Sequence, residues 1–240
     1  MSTQACRIRL LGHWRLDLEG RRTQVGNREQ RVTALLGLRG TQPRAAVAGT
    51  LWPDSTDVRA RANLRTSLLR LRSLDAGIVE SGRASVALGP QVLVDVWHLL
   101  DRLDQVELLE TLDGLDLHAA LTTLAGPDLL PGWYDDWVLY ERERLNHRRI
   151  RALDKVASLL LKRGDTSMAI SYAEEAVALE PLLESSVALE VQAHLDSGNQ
   201  SAAVQAFQRY RARLDAELRI PPSRELVELL TSAAPVRLRH

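Results

Sequence analysis

Five arginines, Arg59, Arg61, Arg65, Arg70 and Arg72, fall within Leu51–Leu74 (LWPDSTDVRARANLRTSLLRLRSL), and no acidic residue stands between Arg59 and Ser73. A guanidinium carries a fixed charge and a planar fork of N–H donors, which suits phosphate and the guanine edge. Ala60, Leu64, Leu68 and Leu71 recur at i, i+4, i+8 and i+11, so the spacing predicts a helix with one apolar stripe. Arg59, Asn63 and Arg70 flank the stripe on one side, and Arg61, Arg65 and Arg72 on the other. The opposite crest carries Ala62, Thr66, Leu69 and Ser73. Such a cylinder fits a DNA major groove, its flanks meeting phosphates while Thr66 and Asn63 meet base edges. The competing reading is a solvated, arginine-rich surface helix.

Acid–base chemistry has thinner support. Asp135-Asp136 beside Tyr134, and His147 in a basic run, are the only arrangements to consider. Adjacent carboxylates point to different sides of a helix and suit a helix N-terminus, where negative charge is favoured. No HExxH, GxSxG or GxxxxGK[ST] occurs, and Cys6 is the only cysteine. No catalytic residue, metal ligand or cofactor is therefore expected, and an enzyme is not.

The elements that must position the arginines follow in order. Alternation at Ile8, Leu10, Leu16 and Leu18 predicts two short strands within Arg7–Glu19. Asn27–Leu38 turns to helical spacing, with Asn27 and Gln30 as its capping box. Arg44–Leu51 is a second helix, ended by Trp52-Pro53. The arginine helix is third, its start capped from Asp54, Ser55 or Thr56. Ile78–Leu88 reads as a hairpin with Ser81-Gly82-Arg83 at its turn, which sets Arg83 beside a phosphate or the minor groove. Gln91–Trp97 adds a strand. Strands, three helices and a hairpin in that order make a winged helix, with the third helix presented to DNA.

Zero net charge conceals two unequal halves. Residues 1–100 hold 15 basic residues, all arginine, against 8 acidic, and residues 101–240 hold 16 against 23. A basic front and an acidic back suggest different partners. From Leu99 the chain reads as wholly helical, with a long helix over about 136–162. Beyond it Gly164-Asp165 and Gly198-Asn199 lie 34 residues apart, as do Ala169 and Ala203. Ala173 corresponds to Phe207 and Ala176 to Tyr210, the period of tetratricopeptide helix pairs. Ile220–Ser223 introduces a last, capping helix. At 45% apolar residues the chain can bury cores, yet no run approaches a membrane span and the first twenty residues have no leader-like core. A cytoplasmic location is expected.

The chain also resembles the antibiotic-regulatory (SARP-type) activators of bacteria. The resemblance is carried by Leu51-Trp52-Pro53-Asp54, Asn63-Leu64-Arg65 with Leu71-Arg72, Val94-Asp95-Val96-Trp97, and Leu129–Trp137 (LLPGWYDDW). Glu141–Leu145, Glu180-Pro181-Leu182 with Glu184, and Glu217-Leu218 with Pro222-Ser223 extend it over nearly the whole chain. It implies an α+β winged helix-turn-helix over 1–98 and an all-α, tetratricopeptide-like bacterial transcriptional activation domain over 99–240. It further implies an activator that binds double-stranded promoter DNA, contacts RNA polymerase or its sigma factor and pairs as a homodimer on DNA. The DNA-contacting set is then Arg59, Arg61, Asn63, Arg65, Thr66, Arg70, Arg72 and Arg83. Two positions depart from the family pattern: Leu69 on the crest, and Arg219 where a glycine usually follows Glu-Leu. The alternative function is a protein-binding scaffold whose winged helix no longer takes DNA.

Overall fold

The computed structural model describes residues 6–232. The chain divides into two compact units, Met1–Asp101 with Pro127–Glu143 and Arg102–Gly126 with Arg144–His240.

The first unit opens with β1 (Cys6–Arg9), β2 (Arg15–Leu18) and β3 (Arg21–Thr23). Burial alternates along β1, with Cys6, Ile8 and the following Leu10 inward, as a period of two demands. Burial pushes the Cys6 thiol up to about 11, which leaves it inert. Helix α1 (Asn27–Arg39) follows, then β4 (Gln42–Pro43), α2 (Arg44–Leu51) and α3 (Asp57–Leu74). The hairpin is β5 (Val79–Ser81) and β6 (Ser85–Leu88), and β7 (Val92–Val94) leads into α4 (Asp95–Glu107). One sheet has the order β3-β2-β1-β7, with β7 parallel to β1, and the other runs β4-β6-β5.

The structure corrects several expectations. Strand β3 gives no sign in the sequence, because Arg21-Arg22-Thr23 has no apolar position to reveal it. Helix α1 is capped at Gly26, with Asn27 already helical, and the Gln30 amide instead donates to the Val25 carbonyl at 3.0 Å. A Cβ at Gly26 would lie 2.7 Å from Glu29 Oε2, so glycine leaves room for that buried carboxylate. The side chains of Asp54, Ser55 and Thr56 make no cap bond to α3, whose N-cap is Thr56.

The last strand also ends sooner than its alternation suggests, at Val94. Asp95 is helical, and its carboxylate accepts the backbone N–H groups of Leu10 at 2.8 Å and Leu11 at 3.1 Å. Desolvation by burial holds that carboxyl above its ordinary value even though those N–H groups pull it down. The Trp97 indole donates to the Gly37 carbonyl at 2.7 Å. The Asp-Val-Trp motif thus ties the end of β1 and the interior of α1 to the start of α4.

The segment 127–143 is held in the first unit by backbone pairing. Gly12 N–H donates to Asp128 O at 2.7 Å and Leu130 N–H to Leu10 O at 2.9 Å. Leu130 is fully buried with φ 45°, and the Arg142 guanidinium donates to the carbonyls of Leu129, Leu130 and Trp133. A leucine in left-handed backbone is strained, and those five hydrogen bonds hold it there. Trp137 is buried.

In the second unit α5 (Leu117–Leu124) is capped by Asp116. The long α6 (Asp136–Arg163) precedes α7 (Thr166–Leu179), α8 (Glu184–Asp196), α9 (Gln200–Glu217) and α10 (Arg224–Ser232). The 34-residue spacing has a local cause. Gly164 and Gly198 adopt φ 82° and 78°, which ends one helix in the left-handed region. The next residue then caps the following helix: Asp165 accepts Met168 N–H, and Asn199 accepts Ala202 N–H. Ala169, Ala173 and Ala176 on α7, and Ala203, Phe207 and Tyr210 on α9, are buried. Helix α8 packs against α7, α9 and α10. Glu184 at its start accepts the Ser223 N–H at 2.9 Å and the Tyr210 hydroxyl at 3.1 Å, which fastens α10's lead-in. Among the described residues no helix is long and apolar enough to cross a membrane.

Candidate nucleic-acid interface

Helix α3 buries Ala60, Leu64, Ser67, Leu68 and Leu71, the expected stripe plus one serine. That leaves Arg59, Arg61, Arg65, Thr66, Arg70 and Arg72 exposed and Asn63 half-buried. The crest is outward, with Leu69 at 61% exposure. Thr66 spends its hydroxyl proton on the Ala62 carbonyl at 3.1 Å, so toward a ligand it presents acceptor lone pairs.

The two flanks have different neighbours. On one, Asn63 Oδ1 accepts from Arg28 of α1 at 3.5 Å, and Arg70 Nη1 stands 3.8 Å from Glu29 Oε1 of the same helix. On the other, Arg72 donates to the Ser81 carbonyl of the hairpin at 3.5 Å. Arg61 and Arg65 there line a surface pocket of about 270 Å³ with Arg83 from the hairpin turn and Arg44 from the start of α2. Its remaining walls are Ala45, Leu64 and Ala84, so four arginines line it together with no acidic residue among them. Among the described residues Arg59, Arg61, Arg65, Arg72 and Arg83 have no carboxylate partner within salt-bridge distance. The eight expected residues are therefore divided. Five lie on the hairpin-facing flank, the hairpin turn or the crest (Arg61, Arg65, Thr66, Arg72, Arg83), and three on the α1-facing flank (Arg59, Asn63, Arg70).

Sequence reasoning misses Arg44 and Arg28. Arg44 donates to the Ser81 hydroxyl, and its backbone N–H donates to Ala84 O at 2.9 Å, so it joins α2 to the hairpin. A signal exists, since a cation at the first position of a helix opposes the helix dipole and needs another reason to be there. Asp135, one of the acid–base candidates, accepts the Arg31 guanidinium; Asp136 opens α6, and His147 is exposed.

The fold is a winged helix-turn-helix followed by an all-α domain. Residues 111–232, just over half of the chain, match the bacterial transcriptional activator domain, and the chain belongs to that family of transcriptional activators. A comparison with curated protein sequences finds no match. Among solved structures, the chain is similar to EmbR of Mycobacterium tuberculosis in complex with a low affinity phosphopeptide, with a TM-score of 0.73 and 19% identity. That likeness covers 96% of this chain and 65% of the EmbR chain, so this chain spans just under two thirds of that protein's length.

Proposed function

We propose that this activator binds double-stranded promoter DNA through residues 1–98, and that the helical domain, 99–240, contacts RNA polymerase or its sigma factor. Helix α3 enters the major groove and the β5–β6 hairpin is the wing. Arg59, Arg61, Arg65, Arg70, Arg72 and Arg83 meet phosphates or guanine edges, Thr66 and Asn63 meet bases, and Arg44 joins them at the wing. The protein works in the cytoplasm, as a homodimer on DNA, and its rear helix pairs are tetratricopeptide-like.

One observation carries this reading: Arg44, Arg61, Arg65 and Arg83, from three different elements, converge on one pocket that contains no acid. Guanidinium groups brought together without counter-charge repel one another, and a phosphate backbone relieves that repulsion. The test is fluorescence anisotropy on a labelled duplex from upstream of the gene, over a salt series. Arg61→Ala with Arg65→Ala weakens binding and lowers the slope of log K against log salt by about 0.9 for each phosphate no longer neutralised. Unchanged affinity and slope in the double variant would exclude this surface as the DNA site.

A further inference from the structure

The second unit contains a cluster of donors that the promoter reading does not use. Glu190 and His194 stand one turn apart on α8 and so share a face, and Glu174 comes from the neighbouring α7. One ligating atom from each of the three lies within 4.8 Å of the other two. Glu190 is 2% exposed and His194 8%, while Glu174 reaches the surface. The Nδ1 atom of His194 is buried without a hydrogen-bond partner, a condition native interiors rarely tolerate without a reason. Glu174 and Glu190 also line a cavity of about 260 Å³ beside α9, which gives an ion a way in.

We propose that Glu174, Glu190 and His194 bind a divalent transition-metal ion of the zinc type, linking α7 to α8. One imidazole and two carboxylates form a mixed nitrogen–oxygen set that suits Zn²⁺ or Co²⁺, and two carboxylate charges neutralise the ion. Ca²⁺ and Mg²⁺, which prefer oxygen-only shells and more ligands or waters, fit poorly. Arg209 Nη2 lies 2.6 Å from Glu190 Oε1 and serves as the resident cation of the metal-free chain. Its side chain is 60% exposed, so it can swing into solvent when an ion arrives.

The test uses the full chain without a histidine tag, titrated with Co²⁺ alone and followed by visible absorption, with Zn²⁺ added in competition. The expected result is saturable uptake of one Co²⁺ per chain at micromolar concentration, displaced by Zn²⁺ but not by millimolar Mg²⁺ or Ca²⁺. Glu174→Gln changes an exposed side chain and leaves the core alone; it weakens Co²⁺ binding at least about tenfold. His194→Gln abolishes the cobalt spectrum, with far-UV circular dichroism to check that the variant folds. Should it not fold, the comparison of Glu174→Gln with the parent decides. Arg209→Gln binds Co²⁺ at least as tightly as the parent. Absence of saturable uptake by the parent, or equal affinity in parent and Glu174→Gln, overturns the site.

Discussion

Helices α3 and α9 are each 18 residues long, bury five side chains apiece and carry several arginines, yet they use their charge differently. On α3, four of five guanidinium groups have no carboxylate partner among the described residues, and the fifth, Arg70, stands 3.8 Å from Glu29. On α9, Arg209 is 2.6 Å from the buried Glu190, while Arg211 and Arg213 make no ion pair among the described residues but stand near Asp215 and Glu217 in sequence. Charge that a fold answers internally stabilises its own helix packing. Charge left unanswered on an exposed face destabilises the free protein slightly and stays available to a partner of opposite sign. The two helices differ in composition as well, α3 carrying five arginines against one acid and α9 three against two.

Charge reversal separates the two cases most strongly. Arg61→Glu with Arg65→Glu on α3 should lower DNA affinity at least about a hundredfold, since two attractions become two repulsions against phosphate. Arg211→Glu on α9 should leave DNA affinity within a factor of two or so, with anisotropy at fixed salt as the measurement. Equal reductions from both helices would erase the distinction.

A second contrast lies in arginines that serve the fold. Arg142 gives three hydrogen bonds to backbone carbonyls around the strained Leu130 and is largely shielded from water. Arg142→Met keeps the stem but leaves those carbonyls unpaired, which should cost about 3 kcal/mol in urea unfolding. A cost no larger than that of an average surface substitution would show that backbone pairing and apolar packing hold the segment 127–143 without the guanidinium.

How much of the molecule is legible in the sequence depends on where each partner lies. The α3 stripe is legible because a period of 3.6 is written into consecutive residues, and Gly164/Gly198 because a left-handed glycine followed by a capping residue is a local motif. The end of β7 is misleading because Val92, Val94 and Val96 keep strand alternation while Asp95 and Trp97 find their partners just after β1 and on α1, more than fifty residues earlier. Arg44 cannot be joined to Arg83 until the hairpin is folded back onto α2. Glu174 likewise looks like one acid among many until α7 is laid beside α8, where it meets Glu190 and His194.

The rear unit also offers a pH test that the α3 surface does not. Burial pushes the Glu184 carboxyl up, but bonds from the Ser223 hydroxyl and N–H and the Tyr210 hydroxyl outweigh it and hold the group below its ordinary 4.5. A carboxyl depressed in the folded state adds stability above its unfolded value, and that stability is lost as the pH falls through the folded one. Glu184→Gln should therefore cost about 1 kcal/mol at neutral pH, a value kept low because the group is partly solvated. The gap between parent and variant should close as the pH drops below 4.5, followed by thermal melting across an acid series. A gap that stays constant with pH would mean that the glutamate acts through shape rather than charge.

The smallest effect concerns the last turn of α9, where the departure from the family pattern has a visible conformational cost. Arg219 follows Leu218 with φ 57°, and both N–H groups return to the Leu214 carbonyl at 2.9 Å. That is the left-handed helix stop in which glycine is favoured, because a Cβ there crowds the backbone. Arg219 makes no ion pair among the described residues, so its side chain offers little in compensation. Arg219→Gly should raise stability by somewhat under 1 kcal/mol, the relief of strain being partly offset by the greater freedom of glycine in the unfolded chain. Thermal melting resolves a change of that size. A loss of stability instead would mean that the guanidinium contributes to the folded α9 terminus, and that the arginine at this position is a gain of the chain rather than a tolerated strain.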